Sequence, residues 1–200
     1  MSGPPLRLAD ACVIVRQQTA SADRHYSSFL TPFMKRTLYI VRHAKAEDRA
    51  NFISDHDREL LPEGIMAAAR VGRYFVEKGI VADRLISSTA HRAKDTAKVI
   101  AEQAGIGLEM IELDEKLYEG GPKAYLAAIN QLPDSCESVM LFGHNPDVTY
   151  FSEYLTHQDV GSMSKGSVVA ITFENLHWAE VSGRTGSFLF YVTPKELLKQ

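Results

Sequence analysis

Cysteine is scarce in this chain: Cys12 and Cys136 are the only two in 200 residues. They lie far apart and form no Cys-x-x-Cys pair, so neither a disulfide framework nor a zinc module is indicated. A reducing, cytoplasmic compartment is the expected setting. Long apolar runs are missing as well. Nothing approaches the roughly 20 residues that cross a bilayer, so no membrane partner is expected. An excess of positive charge is missing too. The 22 Lys and Arg residues face 25 Asp and Glu residues, for a net charge of −3. That balance lacks the basic footprint of a nucleic-acid binder. The sequence contains no internal repeat and no low-complexity tract. What is there is 45% hydrophobic and 24% charged, an ordinary globular composition. The length fits one domain, or one domain with an appendage.

Residues 1–33 differ from the rest. They show little periodicity, and their longest apolar stretch, 11–15, is too short for a secretory core. Met34-Lys35-Arg36 then runs directly into the β-branched and aromatic stretch 37–41. The expectation is an N-terminal extension over 1–33, disordered or loosely docked, and a domain over 34–200.

Within 34–200, strands and helices alternate. Strands are expected at 37–41, 84–87, 108–111 and 138–142. Helices are expected from Pro62 to Lys78, over 90–104 with Ser88 or Thr89 as cap, over 124–131, and from Asn145-Pro146-Asp147 onward. The tail reads as three consecutive strands, 167–173, 177–181 and 187–192. This order predicts an α/β fold, a three-layer α/β/α sandwich around a mainly parallel sheet.

In such sheets, ligands sit beyond the carboxyl ends of the strands. The residues leaving those ends are Arg42 and His43, then Ser87, Ser88 and Arg92, then Asp114 and Glu115, then Gly143 and His144. Two arginines and two histidines at one edge make a phosphate site, because guanidinium forks match phosphoryl oxygens. His144 precedes a helix start, which also favours an anion. No carboxylate cluster of the magnesium-binding kind lies beside them, so no metal and no cofactor are expected. One imidazole can attack phosphorus. His43 is the candidate nucleophile, with Arg42, Arg92 and His144 stabilising charge on the phosphoryl oxygens. Lys45, Arg49 and Arg58 are candidates for adding positive potential at the mouth.

These residues carry a family resemblance. Leu38-Tyr39-Ile40-Val41-Arg42-His43-Ala44 is similar to the strand and Arg-His-Gly motif of the histidine phosphatase (phosphoglycerate mutase-like) superfamily. Ala44 stands in place of the glycine, as in its small phosphohistidine phosphatases of the SixA type. Ser88-Thr89-Ala90-His91-Arg92-Ala93-Lys94-Asp95-Thr96-Ala97 resembles the second motif, and Phe142-Gly143-His144-Asn145-Pro146 the third. Arg58-Glu59-Leu60 through Gly64 resembles the Arg-x-Leu-x-x-x-Gly stretch that opens the first helix.

The resemblance implies a metal-independent phosphatase with a phosphohistidine intermediate on His43. It carries the phosphate-binding roles onto Arg42 and Arg92 and the second histidine onto His144. Only about 40 residues separate the helix bearing Arg92 from His144. That leaves little room for a lid and favours a phosphohistidine on a protein as substrate and partner. A small phosphorylated metabolite, and an inactive phosphate-binding adaptor on the same fold, are the alternatives. Glu115 lies near the place where the mutase-like branch has its proton donor and is the candidate general acid, with Glu119 second in line. The remaining histidines read plainly. His91 faces solvent, His56, His157 and His177 are surface or structural residues, and His25 carries no assignment. Tyr39 and Phe142 read as core, and Cys136 as an inert loop thiol.

Overall fold

The computed structural model describes residues 34–48 and 54–199. The expected extension over 1–33, with Cys12 and His25, lies outside the described residues, as does Arg49.

Six strands form one sheet: β1 (Lys35–Arg42), β2 (Arg84–Ser88), β3 (Ile111–Asp114), β4 (Ser138–Gly143), β5 (Val168–Glu174) and β6 (Ser187–Val192). Their spatial order is β3-β2-β4-β1-β5-β6. The four strands from β3 to β1 pair in parallel, whereas β5 and β6 add an antiparallel edge. Five helices follow: α1 (Pro62–Glu77), α2 (His91–Ala104), the single turn α3 (Lys116–Glu119), α4 (Gly121–Asn130) and α5 (Asp147–Thr156). No helix among the described residues is long and apolar enough to cross a membrane.

Strand alternation divides the core into two halves. Tyr39, Val41, Met140 and Phe142 join Ala68, Val71 and Phe75 of α1 and Ala97 and Ile100 of α2. Leu38, Ile40, Val139 and Leu141 join Leu117, Tyr125 and Ile129 beside Val148, Phe151 and Leu155 of α5. Burying each large apolar side chain contributes about 1.5–3 kcal/mol. The sandwich is therefore three layers, as expected. Adjacent strands β1 and β4 send their following helices to opposite faces. Their carboxyl ends thus open on a topological switch point, where ligands bind in this architecture.

Several elements depart from the sequence expectation. Leu108–Met110 is a 3-10 turn, because Met110 N–H bonds back to Gly107 (3.0 Å); β3 starts only at Ile111. The segment 177–181 is not a strand. Trp178–Glu180 is a 3-10 turn whose indole is fully buried and donates to the Cys136 carbonyl at 2.7 Å. Asn130 Nδ2 donates to the carbonyls of Trp178 and Val181, removing acceptors that a sheet would need. The cap of α2 is Ala90, which receives no side-chain cap; Thr89 Oγ1 pairs with His56 Nε2 instead, at 3.0 Å. For α5 the cap is Pro146, and Asn145 Oδ1 accepts the Thr149 hydroxyl at 3.0 Å. The helix expected at 124–131 begins earlier, at Gly121, behind α3.

Candidate active site

His43 and His144 leave parallel neighbours at one level. Arg42 is paired with Gly143, and His43 N–H continues the ladder to the Gly143 carbonyl at 2.9 Å. The two imidazoles meet with ring centroids 5.1 Å apart, at 49°. Both residues are buried. Gly143 is required between β4 and His144: a Cβ there would stand 1.9 Å from Tyr125 Oη. That hydroxyl donates to the Leu117 carbonyl (2.9 Å) and accepts the His144 N–H (3.3 Å), fixing the strand end.

The ring of each histidine is oriented by one hydrogen bond. His43 Nδ1 lies 2.8 Å from the Ala44 carbonyl, which can only accept, so Nδ1 carries the proton. The neutral ring then presents a lone pair at Nε2. Burial and the nearby charges of Arg92, Arg42 and Lys165 push the His43 pKa down to about 3, against the opposing bond to Ala44. His144 Nε2 meets Ser88 Oγ at 2.8 Å, and Ser88 Oγ also accepts the Ala90 N–H at 3.3 Å. Burial, then His43 and Arg92, push the His144 pKa down to about 3 as well.

Two arginines, Arg92 and Arg42, act electrostatically on His43. Arg42 is partly buried and donates Nη1 to the Met163 carbonyl. Arg92, buried in the first turn of α2, donates to the backbone carbonyl of Asp55 and, at 2.9 Å, to its carboxylate. Arg58 shares that carboxylate at 2.9 Å. Tyr118 Oη donates to it at 3.1 Å, and the Tyr118 ring lies beneath the Arg92 guanidinium and edge-on to His144. Arg42 Nε, Arg92 Nε and His144 Nδ1 are buried without a hydrogen-bond partner among the described residues. A buried guanidinium donor left unpaired costs about 1–3 kcal/mol, and an acceptor-rich anion is the chemistry that would satisfy Arg42 and Arg92.

Local sequence explains the convergence. Thr96 Oγ1 accepts the Ala44 N–H at 2.9 Å and donates to the Arg92 carbonyl at 2.6 Å, tying α2 to the end of β1. Gly64 lets α1 start against Lys45, whose carbonyl would lie 2.0 Å from a Cβ. Gly166, with φ +78°, sends its N–H toward the Arg42 and His43 carbonyls.

Four of the five expected site residues, Arg42, His43, Arg92 and His144, thus share one edge. Glu115 is exposed at the start of α3, and its carboxylate makes none of the contacts described here. Lys45 pairs with Glu63 on the surface. Sequence reasoning missed the roles of Asp55 and Tyr118. Asp55 lies in a polar stretch without periodicity, and Tyr118 in a single turn, so neither carries a pattern. Ser88 had a signal, its place at the end of β2, but read as a helix cap.

Residues 38–125 match the histidine phosphatase superfamily (branch 1). That stretch carries Arg42, His43 and Arg92, and the match supports a histidine phosphatase superfamily reading of the chain. An uncharacterised protein of Mycobacterium tuberculosis is 26% identical over 165 residues, covering 78% of this chain and 100% of its own length. Among solved structures, the protein histidine phosphatase SixA complexed with tungstate is similar at TM-score 0.70 and 20% identity, covering 80% of this chain and 99% of that one. A mycobacterial glucosyl-3-phosphoglycerate phosphatase is similar at TM-score 0.57 and 16% identity, over 77% and 97%. The chain shares its fold with both.

Proposed function

We propose that this chain is a histidine phosphatase that works without a metal, through a phosphohistidine formed on His43, and that its substrate is a phosphohistidine displayed on a protein. The observation that carries the reading is the His43 ring. Its proton is committed to the Ala44 carbonyl, and its pKa of about 3 keeps the ring neutral at ordinary pH. Nε2 therefore has a lone pair available for phosphorus. The Nε2–P bond forms as the P–N bond of the substrate breaks, the departing nitrogen keeps the bonding pair, and the substrate ring, already protonated on its other nitrogen, leaves as neutral imidazole. Water then breaks the enzyme's P–N bond, releasing inorganic phosphate and restoring His43. Arg42, Arg92 and His144 hold the phosphoryl oxygens in both steps.

The short connection between α2 and His144, and the closer likeness to SixA than to the sugar-phosphate enzyme, support a protein substrate. Glu115 is kept as the candidate proton donor for alkyl esters, which need one where a phosphoramidate does not. The phosphatase domain is read as 34–200, acting in the cytoplasm. A chain lacking 1–33 keeps its activity under this reading.

The test is hydrolysis of an aryl phosphate and of a phosphohistidine protein in EDTA. EDTA should spare activity on both, and His43→Ala should abolish it. Undiminished turnover by His43→Ala removes the nucleophile. A faster rate on small phosphate esters than on the phosphohistidine protein removes the substrate assignment and leaves a phosphomonoesterase.

A further inference from the structure

We propose that His56, Asp57 and His91 form a binding site for a divalent transition-metal ion of the zinc class, beside the paired histidines. The three side chains come from two elements. Asp57 ends the 3-10 turn Asp55–Asp57, and His91 is the first residue of α2. Each offers one donor atom, and the three atoms lie within 4.8 Å of one another. His56 Nδ1 is 3.0 Å and His91 Nε2 is 4.0 Å from the same oxygen, Asp57 Oδ1. A tetrahedral zinc ion with bonds of about 2.0–2.1 Å sets its donors about 3.3 Å apart. Small rotations of half-exposed side chains reach that spacing.

Three further features favour an ion here. His56 Nε2 bonds to Thr89 Oγ1 at 3.0 Å, which aims Nδ1 at Asp57, as outer partners of ligating histidines do. The edge of the Tyr118 ring packs against His56 at 5.1 Å and restrains the imidazole. Arg58, next to Asp57 in sequence, and Arg92, next to His91, are both paired with Asp55 at 2.9 Å, and the ion pairs of Asp57 are with His56 and His91. Imidazole with a single carboxylate suits zinc, cobalt or nickel over magnesium or calcium. Three protein donors leave one coordination position open. The site is also coupled to its neighbours, because Tyr118 touches His56, Arg92 and His144 together. This inference stands independently of the phosphatase reading.

The experiment titrates the whole metal-free chain with Co²⁺, following visible absorption, and with Zn²⁺ by calorimetry. One ion per chain is expected, with Mg²⁺ giving no comparable heat. His91→Ala and Asp57→Asn should each weaken Zn²⁺ binding at least tenfold, while His157→Ala leaves it unchanged. Melting curves without metal confirm that each variant is folded, and the exposed Asp57→Asn change serves if His91→Ala is not. Absence of saturable binding overturns the proposal. So does binding that survives both variants, and so does binding lost in His43→Ala but not in His91→Ala, which puts the ion between the paired histidines.

Discussion

Replacing His43 by Gln should flatten the acid side of the stability curve. In the folded chain the His43 pKa lies at about 3, whereas an unfolded histidine titrates near 6.5. The folded state therefore refuses a proton that the unfolded chain accepts. Stability from this difference is fully present above pH 6.5. It is lost as pH falls below 6.5, and the loss stops near pH 3, where the folded ring also protonates. Between those limits the slope is about 1.4 kcal/mol per pH unit for one histidine. From pH 6.5 to 5.0 His43 thus costs the fold about 2 kcal/mol, a large share of the 5–15 kcal/mol typical of a domain. His144 adds a loss of the same sign.

The assay is urea unfolding of wild type and His43→Gln at intervals from pH 5.0 to 7.5. Carboxylates and the other histidines titrate in both proteins, so they cancel in the difference of slopes. The variant should lose less stability than wild type by about 2 kcal/mol over that window. Inorganic phosphate or vanadate should shrink the difference, since a bound dianion raises both imidazole pKa values. Parallel curves would refute the claim that His43 is held neutral by burial and by its cationic neighbours.

Three other outcomes follow from the same geometry. Ser88→Ala removes the hydrogen bond that orients His144, so turnover should fall by about tenfold or more, for a loss of about 1–3 kcal/mol, with little change in melting temperature. An unaltered rate would show that the Ser88 hydrogen bond does not position His144 for turnover. Gly143→Ala drives a methyl into Tyr125 Oη, and urea melts should show about 1–3 kcal/mol of destabilisation; an unchanged midpoint would count against the close approach. Glu115→Gln should slow alkyl phosphates and leave phosphoramidates unaffected, a pattern that rate comparison reads directly and that equal effects on both substrates would rule out.

Much of the architecture could be read from the chain alone. Alternating apolar strands with capped, Gly-terminated helices leave few options other than a parallel sheet between two helical layers. Arg42, His43, Arg92 and His144 were legible because each follows a strand end, and connection rules bring strand ends to one side. Local pattern failed where long-range contacts decide conformation. Trp178 sits in a stretch with strand composition, but the pocket beneath it and the Asn130 amide bend it into a turn.

Sequence by itself thus determined which side chains arrive at one edge of the sheet, since periodicity and strand order depend on near neighbours. Only the tertiary structure decided their chemical state. The orientations of the two imidazoles rest on the Ala44 carbonyl and the Ser88 hydroxyl, the latter brought from 56 residues away. The charge balance at Arg92 rests on Asp55, a residue of an irregular segment whose position no periodicity encodes. Protonation follows from burial and from charges a few ångströms off, and such distances exist only once the chain has closed on itself.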